Sequence, residues 1–180
     1  MPRAFTQLAF SPAVKAAQTH YGSRELGERT ENREPARNRL NDDLAAYIGA
    51  ANSFFIGTAS RDGWPHVQHR GGPPGFLKVL DDRTLAFADF SGNQQYITVG
   101  NLAENNRVLL FIIDYERGRR LKIWGRARIV DDDPALFRQV SDPDYPAQVE
   151  RVIRIDIEAW DLNCHQHFPK LVRARPATPQ

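Results

Sequence analysis

The chain is expected to be mainly β with peripheral helices, its strands closed into an antiparallel barrel. Three observations lead there. Six or seven short runs rich in β-branched and aromatic residues lie between Ser53 and Trp160: SFFIGTAS, WPHVQH, FLKVL, TLAFADF, RVLLFIIDY, RLKIWGRARIV and VIRIDIEAW. Turn signals at Asp62-Gly63, Gly71 to Gly75, Asp81-Asp82 and Arg117-Gly118 separate them. Most links have hairpin length, which suits antiparallel neighbours, whereas parallel strands need crossovers of about a dozen residues or more.

The helices are read from their ends. Ser11-Pro12 is a hydroxyl N-cap followed by proline at the first helical position, so Ala13 to His20 forms a short helix that Gly22 stops. Ser23 to Arg39 is mostly charged, without an apolar period, and reads as a surface arm or mobile connection. Asn41 caps the next helix, where Leu44, Tyr47, Ile48 and Ala51 fall on one apolar stripe. Two helices interrupt the strands, one from Asn93 to Glu104 and one starting at Asp133-Pro134. Residues 1–40 are therefore an N-terminal helix and charged arm, 41–170 the barrel domain, and 171–180 a tail.

Composition bounds the function. The 180 residues suffice for one domain with a substantial core, and a net charge of +2 does not by itself call for nucleic acid. No apolar run approaches the roughly 18 residues of a membrane span, and MPRAFTQLAF lacks the features of a secretory signal. Cys164 is the only cysteine, so no disulfide forms within the chain. A cytoplasmic protein with no membrane and no nucleic-acid partner is expected, and any anion site must come from local clustering.

Three stretches could build such a site. In RRLKIWGRARIV, Leu121, Ile123, Gly125, Ala127 and Ile129 point one way, and Arg120, Lys122, Trp124, Arg126 and Arg128 the other. That basic face is either solvated barrel exterior or an anion site, since guanidinium forks match phosphate geometry. In PHVQHRGGPPGF, His66, Gln68 and Arg70 share a face, with Val67 and His69 opposite. Gly71 and Gly72 lack a Cβ and let a ligand or another backbone approach closely. In ADFSGNQQYI, amides of a helix opening at Asn93, with Ser91, Gln94 and Gln95, could hold a phosphate or simply cap the helix. His66-x-x-His69 places its two rings on opposite sides of a strand, and Cys164-His165-x-His167 sits beside Pro169 near the C-terminus; no metal site is expected.

The ordered set FFIGTASRDGWPHVQHRGG, LAFADFSGNQQYITVGNLAENNRVLLFIIDY and RRLKIWGRARIV resembles the pyridoxamine 5′-phosphate oxidase-related flavin-binding proteins of the split β-barrel class. The likeness covers about Asn41 to Trp160 and rests most on Ser91 to Gln95 after a strand, then Asn105-Asn106-Arg107-Val108. It implies a split antiparallel barrel, a homodimer and FMN at the subunit interface. Carried over, Gln68, His69, Arg70 and Gly71 would lie along the ribityl and ring, and Ala88 and Asp89 would line the pocket with backbone groups. Ser91, Asn93, Gln94 and Gln95 would approach the phosphate, with Arg120, and Lys122 beside it, reaching across.

Departures narrow the reading. Oxidases of this class carry Arg or Lys where this chain has Gln94-Gln95, a loss that Arg70 and Arg120 could offset. Their Arg-rich substrate segment is not reproduced in AWDLNCHQHFPKLVRARP, which argues against oxidation of pyridoxamine phosphate itself. The expectation is an FMN-dependent oxidoreductase acting on a small organic substrate, with His69 the candidate acid or base. The alternative is a flavin, deazaflavin or haem carrier or sensor, in which His165 and His167 would matter. Trp160 or Trp124 could wall the flavin ring, or both could be core.

Overall fold

A computed structural model describes residues 4–33, 35–163 and 168–169. Its seven strands are β1 (Ser53–Ala59), β2 (Pro65–Gly71), β3 (Lys78–Asp81), β4 (Thr84–Phe90), β5 (Arg107–Asp114), β6 (Arg119–Val130) and β7 (Val149–Asn163). They form one antiparallel sheet in the order β2-β1-β5-β6-β7-β4-β3. All seven β-rich runs of the sequence are strands. Side chains of β2 and β4 meet although four strands separate them in that order, so the sheet curls into a barrel whose last seam has no ladder. This is the split barrel expected from the sequence.

Alternation explains the core. On β6, Leu121, Ile123, Gly125 and Ala127 are buried while Arg126 and Arg128 are exposed. Phe54, Ile56, Phe87, Leu110 and Ile155 fill the interior from β1, β4, β5 and β7. The helix α4 (Asp42–Gly49) closes one end with Leu44, Tyr47 and Ile48, its first turn capped by Asn41, whose side chain accepts from Leu44 N. On the outer face, α6 (Pro134–Val140) packs Leu136 and Val140 over Ala86, Ala88, Val130 and Val152. Among the described residues no helix is long and apolar enough to cross a membrane.

The N-terminal part corrects the sequence reading. Besides α2 (Pro12–His20), it contains α1 (Ala4–Ala9) and α3 (Arg24–Glu31), the latter inside the stretch read as an arm. Charge spacing rather than apolar periodicity supports α3: Arg24 pairs with Glu28 and Glu31, and Arg29 with Glu25. Two of these pairs are four residues apart and the third spans two turns, and such pairing lets a largely polar helix persist. The link to α4 is also anchored, because Trp160 donates from its indole to Arg39 O at 2.8 Å and carries the Arg37 guanidinium over its ring.

Candidate functional site

Side chains from four segments converge on a cleft of about 350 Å³ beside the barrel seam. Strand β2 contributes His66, Gln68 and Arg70, because only every second residue faces that way. Strand β4 contributes Asp89, β7 contributes Glu150 and Arg151, and the Gly92–Val99 segment crosses the rim. The volume lies in the range of small-molecule sites. A second cavity of about 570 Å³ is larger and lined by Tyr47, Phe55, Ile113, Asp114 and Arg117 among others, but contains none of the residues expected in the site. Convergent charged groups favour the smaller one.

Asp89 organises the cleft. It is 3% exposed and accepts hydrogen bonds from Arg70 through one oxygen and from Arg151 through the other, the latter at 2.7 Å. Asp89 and Arg151 are direct ladder partners on β4 and β7. Arg151 also donates to Glu150 at 2.6 Å and lies 5.0 Å from the centre of the Tyr96 ring. Burial pulls the Arg151 pKa down, but its bonds to Asp89, Tyr96 and Glu150 outweigh that and leave it raised. Arg70 donates to Gln68 at 2.9 Å, and its buried Nε has no hydrogen-bond partner among the described residues. An unsatisfied buried donor of this kind costs about 1–3 kcal/mol, so it marks a place where an acceptor would be welcome.

The rim is strained where it turns. Helix α5 begins at Ile97, not at Asn93, and runs to Glu104. Gln94 and Tyr96 have φ of 58° and 52°, in the left-handed region where a Cβ crowds the carbonyl. Such conformations persist where the surroundings hold them, and they cluster at ligand sites. Here Thr98 donates to Gln68 Oε1 at 2.7 Å, and Asn101 donates to the buried Thr58 hydroxyl at 3.0 Å. These bonds dock α5 on β1 and β2 and fix the rim against the seam. Gln95 N donates to Asn93 Oδ1 at 3.2 Å, a local turn that competes with helix and delays its start.

Measured against expectation, Gln68, Arg70, Asp89, Asn93, Gln94 and Gln95 meet in the cleft. Asp89 takes part through its carboxylate rather than its backbone. His69 faces away, packed edge-on against Phe55 at 5.6 Å, as strand parity requires. Ala88 lies beneath α6, and Ser91 is exposed, its amide bonded to Gln148 O. Neither Arg120 nor Lys122 lines the cleft; the Arg120 guanidinium lies over Phe168. The space beside Gly72 is taken by this chain's own Phe76, whose ring a Cβ would meet at 2.7 Å, and a Cβ on Gly71 would meet His69 at 3.1 Å. Trp124 stacks on Phe5 of α1 at 5.9 Å, and Trp160 is core. Cys164, His165 and His167 lie outside the described residues.

Arg151, Glu150, Tyr96 and Thr98 were not anticipated. The only signal for Arg151 is its register opposite Asp89, which pairs residues 62 positions apart.

Comparison with known proteins agrees with this architecture. No curated protein sequence matches the chain. Among solved structures, HupZ of Group A Streptococcus superposes with a TM-score of 0.54 at 16% identity, covering 67% of this chain and 92% of its own. A Lactobacillus delbrueckii protein provisionally described as a pyridoxamine 5′-phosphate oxidase gives 0.53 at 21%, covering 69% and 94%. An FMN-binding protein from Syntrophomonas wolfei gives 0.51 at 14%, covering 89% and 97%. These likenesses establish the fold. The profile of the pyridoxamine 5′-phosphate oxidase family matches residues 40–164, more than half of the sequence and nearly all of the barrel, and the chain belongs to that family.

Proposed function

We propose that the protein binds FMN in this cleft and acts as an oxidoreductase on a small organic substrate. The observation that carries the reading is the buried, unpartnered Arg70 Nε among Gln68, Arg151 and a strained rim. Family membership and the fold shared with an FMN-binding protein support it. When bound, a flavin supplies the electron transfer, and the chain supplies binding and electrostatics. Arg70 Nε, the Asn93, Gln94 and Gln95 side chains and the rim amides would hold the phosphate. Arg151, held by Asp89, would keep its guanidinium at the site without collapsing onto the ligand.

The protein works, in this reading, as a homodimer with the flavin at the interface. The outer face of β1 and β2 supports a second copy: Val67 is 66% exposed, Phe55 37%, and Trp64 at the hairpin 78%. β2 is a terminal strand of the sheet, and an apolar face beside an open edge suits association.

The test is the visible spectrum of freshly purified protein, followed by FMN titration read as flavin-fluorescence quenching. Binding that Arg70→Ala weakens at least about tenfold, the loss of one charge-assisted bond, supports the reading. Colourless protein that takes up no FMN refutes it, and a deazaflavin or haem spectrum replaces it with the carrier alternative.

A further inference from the structure

Among the described residues of one protomer, the cleft has no surplus of fixed charge. Its two guanidinium groups, Arg70 and Arg151, face two carboxylates, Asp89 and Glu150, and each arginine is already bonded to an acid. The basic residues that could have tipped the balance are elsewhere: glutamines occupy positions 94 and 95, and Arg120 does not line the cleft. A phosphate monoester carries a charge of about −1.5 to −2 at neutral pH. With the fixed charges of the lining already balanced, that negative charge meets no surplus cation there, and one created at the site would offset about half of it.

One side chain in the cleft can create it. His66 is half-buried on β2, on the face shared by Gln68 and Arg70, and lines the same cavity. Imidazole is the only side chain whose ordinary charge change falls between about pH 5 and pH 8. The charged and titratable groups across from it are Arg70 on its own strand, Asp89 on β4, Glu150 and Arg151 on β7, and Tyr96 before α5. From α5 itself Ile97, Thr98 and Val99 face the cleft, without charge, and Thr58 is its ladder partner on β1. Arg61 and Glu104, at the hairpin end, pair with each other outside the cavity.

We propose that His66 is a phosphate ligand, and that binding of the phosphorylated cofactor takes up one proton from solvent at its imidazole. The inference rests on FMN occupying this cleft. It makes His66 the group that selects the phosphorylated cofactor over its dephosphorylated counterpart, and it makes that selection depend on pH. The sign follows from linkage: a complex that holds one more proton than its free components weakens as pH rises. The phosphate's own second ionisation, near pH 6, acts in the opposite direction, since affinity for its dianion would grow with pH.

The experiment is titration of the full-length protein with FMN and with riboflavin, which lacks the phosphate, from about pH 6.5 to about pH 8.5. The FMN dissociation constant is expected to rise by about five- to tenfold across that range, while the riboflavin constant changes less than about twofold. His66→Gln is expected to bind FMN more weakly at the acidic end and with a flat profile. His66→Lys keeps a fixed cation and is expected to bind FMN tightly with a flat profile, which also shows that a substituted site still folds. An FMN affinity in the native protein that is flat or grows with pH overturns the proposal, as does a slope that survives in His66→Gln. Those results leave FMN binding itself intact, whereas absence of FMN binding at every pH removes both readings.

Discussion

Arg70 on β2 and Asp89 on β4 form an ion pair across the seam of the barrel, between strands that never meet in the hydrogen-bonded order. Asp89 simultaneously holds Arg151 on β7, so one carboxylate fixes two cations and joins the two sides of the curled sheet. The same contact that closes the fold shapes the cleft.

Removing that carboxylate strands the largely buried Arg70 guanidinium and leaves Arg151 with Glu150 as its remaining acid. Breaking a buried pair by deleting one partner costs about 3–5 kcal/mol, because the charge left behind is uncompensated. Asp89→Ala is expected to lower unfolding stability by about 3 kcal/mol or more in urea titration. An effect below about 1 kcal/mol would show the pair to be solvated like a surface bridge.

Tyr47 makes the folded state sensitive to alkali. Burial, aided by the negative charge of Asp114, pushes its pKa up to about 12 from an ordinary 10. Because the neutral phenol is the form the fold favours, this contribution is fully present below pH 10 and is lost as pH rises through about 12. Tyr47→Phe gives up the bond from the hydroxyl to Arg119 O, about 1 kcal/mol at neutral pH, and is expected to flatten the stability profile over that alkaline window. Chemical denaturation at a series of pH values checks it.

Two glycines are expected to respond in opposite directions. A Cβ on Gly125, at the bulge between β6 and β7, would lie 2.6 Å from the Asp156 carbonyl oxygen and 2.8 Å from Ile155 Cγ2. Backbone cannot step aside, so Gly125→Ala should cost about 1–3 kcal/mol. Gly100 is exposed on α5 with nothing within 4 Å of its would-be Cβ, and Gly100→Ala should add about 0.5–1 kcal/mol through helix propensity. Thermal unfolding of both variants, measured side by side, decides the point.

If the face of β1 and β2 seats a second copy, a charge at its centre should undo the pair. Val67→Glu places a carboxylate on the exposed face without touching the cleft-facing side of β2. Sedimentation is expected to show a monomer, with weakened FMN binding if the interface completes the site. A dimer that survives this substitution argues for a different interface.

The strands were legible because their signal is local: alternation in RLKIWGRARIV and a glycine or aspartate at each turn suffice to mark them. The helix α6 was legible for the same reason, with Asp133 capping Leu136 N ahead of Pro134. What escaped depends on contacts distant in sequence or on conformations rare for the residue. Arg151 acquires its role from a ladder register, and α5 starts late because Gln94 and Tyr96 adopt left-handed geometry that no ordinary preference foretells. His69 illustrates a simpler error, since its strand parity already separated it from Gln68 and Arg70. The extra room left by Gly72 was visible, but that Phe76 fills it was not.

The closure between β2 and β4 consists of side chains alone, and this has a mechanical consequence. Parting the two borders there breaks the Arg70–Asp89 salt link, but no rung between main chains. Such a border unzips more cheaply than any other line through the cylinder. Amide protons flanking it should trade with deuterium sooner than those of β5 and β6, and a bound nucleotide straddling it would act as a rivet.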